Sequence, residues 1–282
     1  MTTELSDTTL SADRIVHLTD QLAALPHLRP DPGTNALFGG LVQAVLATPD
    51  RQARDVLAHP EVHRRKDAIR DLSARGETEL EHAWAEHIAG APDARAALDA
   101  FPYLDNYRRL TALEARLIAH AGGGTPGSVA VVGSGPLPLS TLGYAAALDS
   151  PVVGLDRDAT AVALARRVAA CLGATTVRFE QADAADVGLA EHDVVVLAAL
   201  VGETPSAKAA ILRRMADTMQ PGALLLARSA RGARTLLYPP VDLGAMPGFE
   251  VLEVVHPTDD VINSVVVARR LASKSQTCRS PK

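Results

Sequence analysis

The stretch Ser128-Val-Ala-Val-Val-Gly133-Ser-Gly135-Pro136-Leu137-Pro138-Leu139 is the part of this chain best suited to holding a ligand. Its apolar run reads as a buried strand, and Gly133-Ser134-Gly135 as a turn that lets backbone approach a small molecule closely. A dinucleotide fingerprint would need a third glycine and an open helix start. Pro136 and Pro138 stand there instead and remove two N–H donors that a pyrophosphate would use. The turn suits a ligand met through shape and carbonyls, such as the aminobutyrate chain and sulfonium of S-adenosylmethionine. Gly133, Ser134, Gly135, Pro136 and Leu137 are the candidate contacts. Asp156 follows Gly135 by 21 residues, close to the spacing at which an acid meets ribose hydroxyls. Asp183, after a third strand, could accept from an adenine amino group, and Asp158 is better read as a helix cap.

The elements that must carry these residues fall into two rhythms. Up to about residue 120 apolar residues recur at helical spacing: Leu22, Leu25 and Leu28; Leu37, Phe38, Leu41, Val42 and Val45; Tyr107, Leu110, Leu113, Leu117 and Ile118. Thr34 or Asn35 is the expected cap of the second helix. Gly122-Gly-Gly-Thr-Pro-Gly127 then breaks the pattern. Strands are expected at Val129–Gly133, Val152–Leu155, Val177–Glu180, Val194–Leu197 and Ala223–Ala227, with helices at Leu139–Leu148, Ala159–Leu172 and Ser206–Met219. That alternation predicts an α/β fold: an all-α N-terminal domain, then a Rossmann-like doubly wound sheet. Phe249–Val255 and Val261–Ala268, with no helix between them, are expected to pair antiparallel at the sheet edge. The expected division is a helical cap over residues 1–122, a ligand-binding sheet over 123–272, and a frayed tail over 273–282.

Composition narrows the function classes. Of 282 residues 47% are apolar, enough for a sizeable core, and no run reaches the roughly 18 apolar residues a membrane span needs. The net charge of −5 argues against a nucleic-acid surface. Two cysteines, Cys171 and Cys278, make no disulfide framework. No basic region followed by an apolar stretch opens the chain, so the cytoplasm is the expected compartment. His59-Pro-Glu-Val-His63 lacks the order of a zinc hydrolase, and Pro60 suits a helix start. No metal is expected in catalysis. The expected partner is a small molecule, without nucleic acid or membrane; the oligomeric state is open, with a homodimer as one option.

Gly133-Ser-Gly-Pro-Leu-Pro-Leu139 resembles the signature of the nicotianamine synthase family. So do Leu25-Pro-His-Leu-Arg-Pro30, Asn35-Ala-Leu-Phe38, Pro102-Tyr-Leu-Asp-Asn-Tyr107, Leu197-Ala-Ala-Leu-Val-Gly202, Arg228-Ser-Ala-Arg-Gly-Ala-Arg234, Leu237-Tyr-Pro239 and His256-Pro-Thr-Asp-Asp-Val-Ile-Asn-Ser264. These matches run in family order from about residue 22 to residue 269, and the plant members are most similar in wording. The resemblance implies transfer of the 3-amino-3-carboxypropyl arm of S-adenosylmethionine, not its methyl group, with release of methylthioadenosine. Joining three arms and closing one into an azetidine ring gives nicotianamine. Other readings keep the same residues: a single arm placed on another amino acid such as histidine, an ordinary methyltransferase, or a sensor that binds without turnover.

By the same resemblance Glu81 aligns with the family's acidic catalytic position and Tyr107 with the tyrosine that orients the attacking amine. A carboxylate raised in pKa by desolvation is a reasonable base for that amine. Glu77 lies one turn before Glu81 on the same helical face, where the wording departs from the family (Arg75–Thr78), and its role is left open. Each arm brings a carboxylate, for which an arginine fork is the natural partner. Arg228 and Arg234 are expected near the site and Arg231 at a variable position; Tyr238, His256 and Asn263 are expected to line the pocket.

Overall fold

Helix-forming residues dominate the first part of the chain, and its helices begin where the backbone loses a donor or gains an acceptor. The computed structural model describes residues 2–272, so the expected tail and Cys278 lie outside the described residues. Six helices come first: α1 (Thr2–Ala23), α2 (Pro32–Leu46), α3 (Asp50–Ala58), α4 (Pro60–Gly90), α5 (Ala94–Asp99) and α6 (Leu104–Gly122). α2 is capped by Asp31, not by Thr34 or Asn35. Asp31 Oδ1 accepts from the N–H groups of Gly33 (2.8 Å) and Thr34 (3.0 Å). Pro32, which has no N–H to lose, fits the first helical position and moves the start upstream. Pro60 opens α4 in the same way, and His59 caps it without a side-chain hydrogen bond.

The helices share an apolar core made by Ile15 and Leu22, Leu41 and Val45, Val56, Ile69 and Leu72. That core continues into Leu236 and Leu237, which follow the fifth strand. α6 lies instead against the sheet, where Leu110 and Ile118 pack with Val129, Val131, Val196 and Leu226.

The sheet contains β1 (Val129–Val132), β2 (Val152–Asp156), β3 (Val177–Gln181), β4 (Val194–Leu197), β5 (Leu224–Ser229), β6 (Phe249–Val255) and β7 (Ser264–Arg270). Their order is β3-β2-β1-β4-β5-β7-β6. The first five are parallel, joined by α7 (Leu139–Leu148), α8 (Ala159–Cys171) and α9 (Pro205–Thr218). β1 and β4 are buried along their whole length, which is why they read as unbroken apolar runs rather than alternating ones. Their shared position, with β2 on one side and β5 on the other, makes the switch point beyond which a ligand crevice opens.

The two last strands do pair antiparallel. β7, however, inserts between β5 and β6 and begins at Ser264, not at Val261. Val261, Ile262 and Asn263 are held as buried loop beneath the helices and carry the chain into the sheet. β6 is the exposed edge, broken by a register irregularity at Val251/Glu253 and carrying Glu250 and Glu253 outward. Among the described residues no helix is long and apolar enough to cross a membrane.

One contact fixes α4 over α2. A Cβ at Gly76 would lie 2.1 Å from Phe38 Cζ, so the ring occupies the space a side chain would need. Gly76→Ala is expected to cost about 1–3 kcal/mol as an overpacked site, read as a lower Tm in thermal unfolding. Adding Phe38→Leu should recover part of that loss; an unchanged Tm in the single variant would contradict the packing.

Candidate active site

The glycine turn after β1 takes its shape from three neighbours. Gly133 and Gly135 have φ of 81° and 67°, where a side chain is strained. A Cβ on Gly133 would lie 2.2 Å from Val201 Cγ2, and one on Gly135 would lie 2.6 Å from Glu81 Oε2. The N–H groups of Gly133 and Ser134 both donate to the Leu155 carbonyl, and that of Gly135 donates to Asp156 Oδ2 (2.9 Å). The turn therefore directs its donors inward to β2, leaving no ring of free N–H groups for phosphate. This agrees with the proline-based reading of its sequence.

Between this turn and the helices lies a cavity of about 340 Å³. α4 contributes Glu77 and Glu81, the start of α6 Tyr103 and Tyr107, β5 Arg228, and the segment after the 3-10 helix Gly232–Leu236 contributes Tyr238. Ala198, Ala199 and Leu200, after β4, close one side, and Phe38, Leu41 and Leu110 make much of the wall apolar. Tyr107 Oη donates to Glu81 Oε1 (2.7 Å), and Tyr238 Oη donates to Glu77 Oε2 (2.6 Å).

Burial pushes the Glu81 carboxyl up to about 8, helped by the like charge of Glu77 and opposed by the Tyr107 hydrogen bond. Burial also raises Glu77, against the Tyr238 hydrogen bond and the positive charge of Arg228. Both tyrosine hydroxyls are held well above their ordinary range by burial and the adjacent carboxyls, so they remain donors. A cation entering such a site would favour the ionised carboxylates and lower these raised values.

Arg228 reaches the cavity from within a buried network. Its Nε and Nη2 bind Glu114 Oε1 (2.9 Å) and Oε2 (2.8 Å), and Nη2 also donates to Ser140 Oγ (2.8 Å). Tyr144 Oη donates to Glu114 Oε2 (2.5 Å), tying α7 to α6. Ser134 Oγ and Asn263 Nδ2 are buried in the cavity wall without a hydrogen-bond partner. Unpartnered buried polar atoms are uncommon, and here they face a space that a polar ligand would fill.

Of the residues singled out in the sequence, Glu81, Tyr107, Gly133, Ser134, Leu137, Arg228, Tyr238 and Asn263 line this cavity. Gly135 and Asp156 stand at its edge, in contact with Glu81 and with each other. Pro136 is buried behind the turn. Three others lie outside the cavity wall. Asp183 Oδ1 accepts from the Ala185 N–H (2.8 Å) in a local turn after β3. Arg234 donates to the carbonyls of Pro257 and Asp259, so it braces the loop before β7. His256 Nδ1 is hydrogen-bonded to Ser264 Oγ (2.8 Å). Sequence reasoning missed Tyr103, Ser140 and the Glu114–Arg228 pairing. Tyr103 stands inside a matched motif and could have been found; Glu114 looks like one more helical glutamate until β5 is placed beside it. Among the described residues no group of His, Cys, Asp and Glu is placed to hold a metal ion.

A mostly parallel sheet closed by an antiparallel strand between β5 and the edge, with a glycine turn after its first strand, is the S-adenosylmethionine methyltransferase-like class of fold. The mitomycin 7-O-methyltransferase MmcR is similar to 86% of the chain and 74% of its own, with a TM-score of 0.51 at 18% identity. More specifically, the chain belongs to the nicotianamine synthase family: the model described as "Nicotianamine synthase protein" matches residues 4–275. Nicotianamine synthase 9 of Hordeum vulgare is 39% identical over 268 residues, covering 91% of this chain and 78% of that protein. Nicotianamine synthase 2 of Oryza sativa subsp. japonica is 40% identical over 270 residues, covering 92% and 82%. In fold the chain is similar to a mutant of MtNAS in complex with S-adenosylmethionine, with a TM-score of 0.81 at 22% identity over 93% of this chain and 98% of that one. MtNAS in complex with MTA and tNA gives a TM-score of 0.80 at 22% identity, over 92% and 98%.

The raised Glu81 carboxyl has a consequence for stability. Its value moves from 4.5 to about 8 on folding, so between those values the folded protein holds a proton that the unfolded chain has released. Its contribution to stability is fully present below 4.5 and is lost as pH rises through about 8. Glu81→Gln is therefore expected to raise Tm relative to the parent protein at about pH 9, with the gain shrinking toward about pH 5. A gain of the same size at both ends, by calorimetry, would mean that Glu81 is not a buried carboxyl.

Proposed function

We propose that the protein transfers 3-amino-3-carboxypropyl arms from S-adenosylmethionine to an amine and joins three of them into nicotianamine, releasing methylthioadenosine. One observation carries the reading: the Glu81 carboxyl, oriented by Tyr107 Oη, stands directly over Gly135 at the switch point of the sheet. In this reading the sulfonium lies along the glycine turn, and the attacking nitrogen occupies the corner between Glu81 and Tyr107. The nitrogen gives its proton to Glu81 and forms a bond to the γ-carbon. The C–S bond breaks with its electron pair going to sulfur, so the sulfonium becomes a thioether.

A sulfonium has three carbons open to attack, and the methyl is the least hindered. Choice among them must come from orientation, which can contribute roughly 7–11 kcal/mol in favourable cases. The apolar wall made by Phe38, Leu41 and Leu110 supports that choice by keeping water from competing with the amine. Arg228 is our choice for the carboxylate of an arm, since Glu114 and Ser140 engage its Nε and Nη2 and fix its plane. Asn263 and Ser134 offer further polar contacts. Asp156 is assigned to the ribose hydroxyls: its two oxygens bind the N–H groups of Gly135 and Asp158, and carboxylate oxygens retain acceptor sites beyond one bond each. S-adenosylmethionine is a substrate in this scheme, not a resident cofactor.

Incubating the purified protein with S-adenosylmethionine alone and weighing the products tests the reading. Nicotianamine and methylthioadenosine are expected. S-adenosylhomocysteine would instead indicate methyl transfer, and turnover only on adding a second amino acid would indicate a one-arm transferase.

Two variants sharpen the assignment. Glu81→Gln should bind S-adenosylmethionine but release little methylthioadenosine; near-normal turnover would remove Glu81 as the base. Asp156→Ala should weaken S-adenosylmethionine binding by about 1.5–3 kcal/mol, the scale of hydrogen bonds to a charged group. Unchanged affinity in titration calorimetry would move the ribose contact to another residue.

A further inference from the structure

Glu81 shares its face of α4 with a second carboxyl. Glu77, one turn earlier, lines the same cavity and accepts a hydrogen bond from Tyr238 Oη (2.6 Å). The cavity thus holds two carboxyl–tyrosine pairs on one helix, and each tyrosine comes from a different element: Tyr107 from α6, Tyr238 from the segment after β5. The other titratable groups whose charge or hydrogen bonding reaches Glu77 are Tyr103 and Tyr107 at the start of α6 and Arg228 of β5. Arg228 is already in a buried ion pair with Glu114. A buried carboxyl without its own cation is costly to keep, and a glutamine or an apolar residue would fill the space at lower cost. Its place beside Glu81, on the same cavity, points to chemistry.

The stoichiometry of the proposed reaction supplies a use. An amine that arrives as an ammonium must lose one proton before its lone pair can attack. After the new N–C bond forms and the C–S pair passes to sulfur, that nitrogen is again cationic. It must lose another proton before it, or a second nitrogen of the growing product, attacks a further γ-carbon. Glu81, having taken one proton, must pass it on before it can serve a second nitrogen. A neighbouring acceptor lets the next nitrogen deprotonate without waiting for Glu81 to discharge.

We infer that Glu77, oriented by Tyr238, is the proton acceptor for a later transfer than the one Glu81 serves, and so decides how many arms are joined before product leaves. In that step the N–H proton passes to a Glu77 oxygen, the nitrogen bonds to the γ-carbon of a further S-adenosylmethionine, and the C–S electron pair stays with sulfur as a thioether. The inference rests on the arm-transfer reading above.

The experiment compares the full chain with Glu77→Gln and Tyr238→Phe, each given S-adenosylmethionine, and reads both methylthioadenosine and the masses of all amine products. Glu77→Gln should still release methylthioadenosine, while the ratio of short product to nicotianamine rises at least about a hundredfold, the lower end of what a lost general base costs a step. Tyr238→Phe should move the ratio the same way by less. A merely structural role would slow turnover without changing the ratio, so a parental ratio in Glu77→Gln overturns the inference. So does a block of the first arm as complete as in Glu81→Gln. Should Glu77→Gln not fold, as judged by thermal unfolding, Tyr238→Phe decides by the same ratio, since it leaves the carboxyl in place. Release of S-adenosylhomocysteine by the parent protein would overturn the arm-transfer reading first and this assignment with it.

Discussion

The contact between the Glu81 carboxylate and Gly135 is the constraint on which the rest of the site turns. A helix glutamate is pressed against a backbone turn so closely that any side chain there would collide with its oxygen. The turn favours glycine for its left-handed φ of 67°, and a side chain there would also displace the Glu81 carboxyl. Holding a carboxylate there needs a donor that does not itself ionise, which Tyr107 supplies. It also needs α4 and the start of α6 to cover the ends of β1 and β4, where their residues line one cavity with the glycine turn.

Three glutamates approach this region, and the protein treats them in two ways. Glu114 is fully buried and matched by Arg228 with two parallel hydrogen bonds, and no net charge remains between them. Glu77 and Glu81 hydrogen-bond to tyrosine hydroxyls, and desolvation raises both against the positive charge of Arg228, which is already paired with Glu114. The difference separates a fixed ion pair from two carboxyls without a paired cation. Glu114 fixes the plane of an arginine that faces the cavity; the other two remain able to exchange protons with whatever cation enters. A sulfonium or ammonium beside them would lower their pKa values and favour the charged carboxylate.

Much of the framework was legible before any coordinates. β4, β6 and α7 run over the residues expected from their apolar patterns, most directly β4, where a fully buried strand writes its burial into residue type. Termini were less legible where two local preferences competed, as at α2, where Asp31 and Pro32 take the start from Thr34. The strand expected from Val261 begins at Ser264, since the three residues before it are buried by helices far away in sequence rather than by pairing. Among site residues, those in the glycine turn and in the Pro102–Tyr107 stretch were visible as types at a spacing. Arg234 and His256 stand in matched motifs and Asp183 follows β3, yet their side chains hold loops beside the site.

By itself the sequence determined the sequence of elements, the switch point after β1 and the refusal of that turn to hold phosphate, all of which follow from local backbone chemistry at Gly133, Gly135, Pro136 and Pro138. It could not show which of its many helical glutamates are reactive. A glutamate on a helix has the same local preferences whether it faces water, an arginine or an apolar cavity. Only the tertiary structure, by bringing α4 and α6 over the ends of β1, β4 and β5, decided that Glu114 meets Arg228 while Glu77 and Glu81 meet tyrosines. Desolvation and the identity of the neighbour set a carboxyl's pKa, and both are properties of the packed molecule.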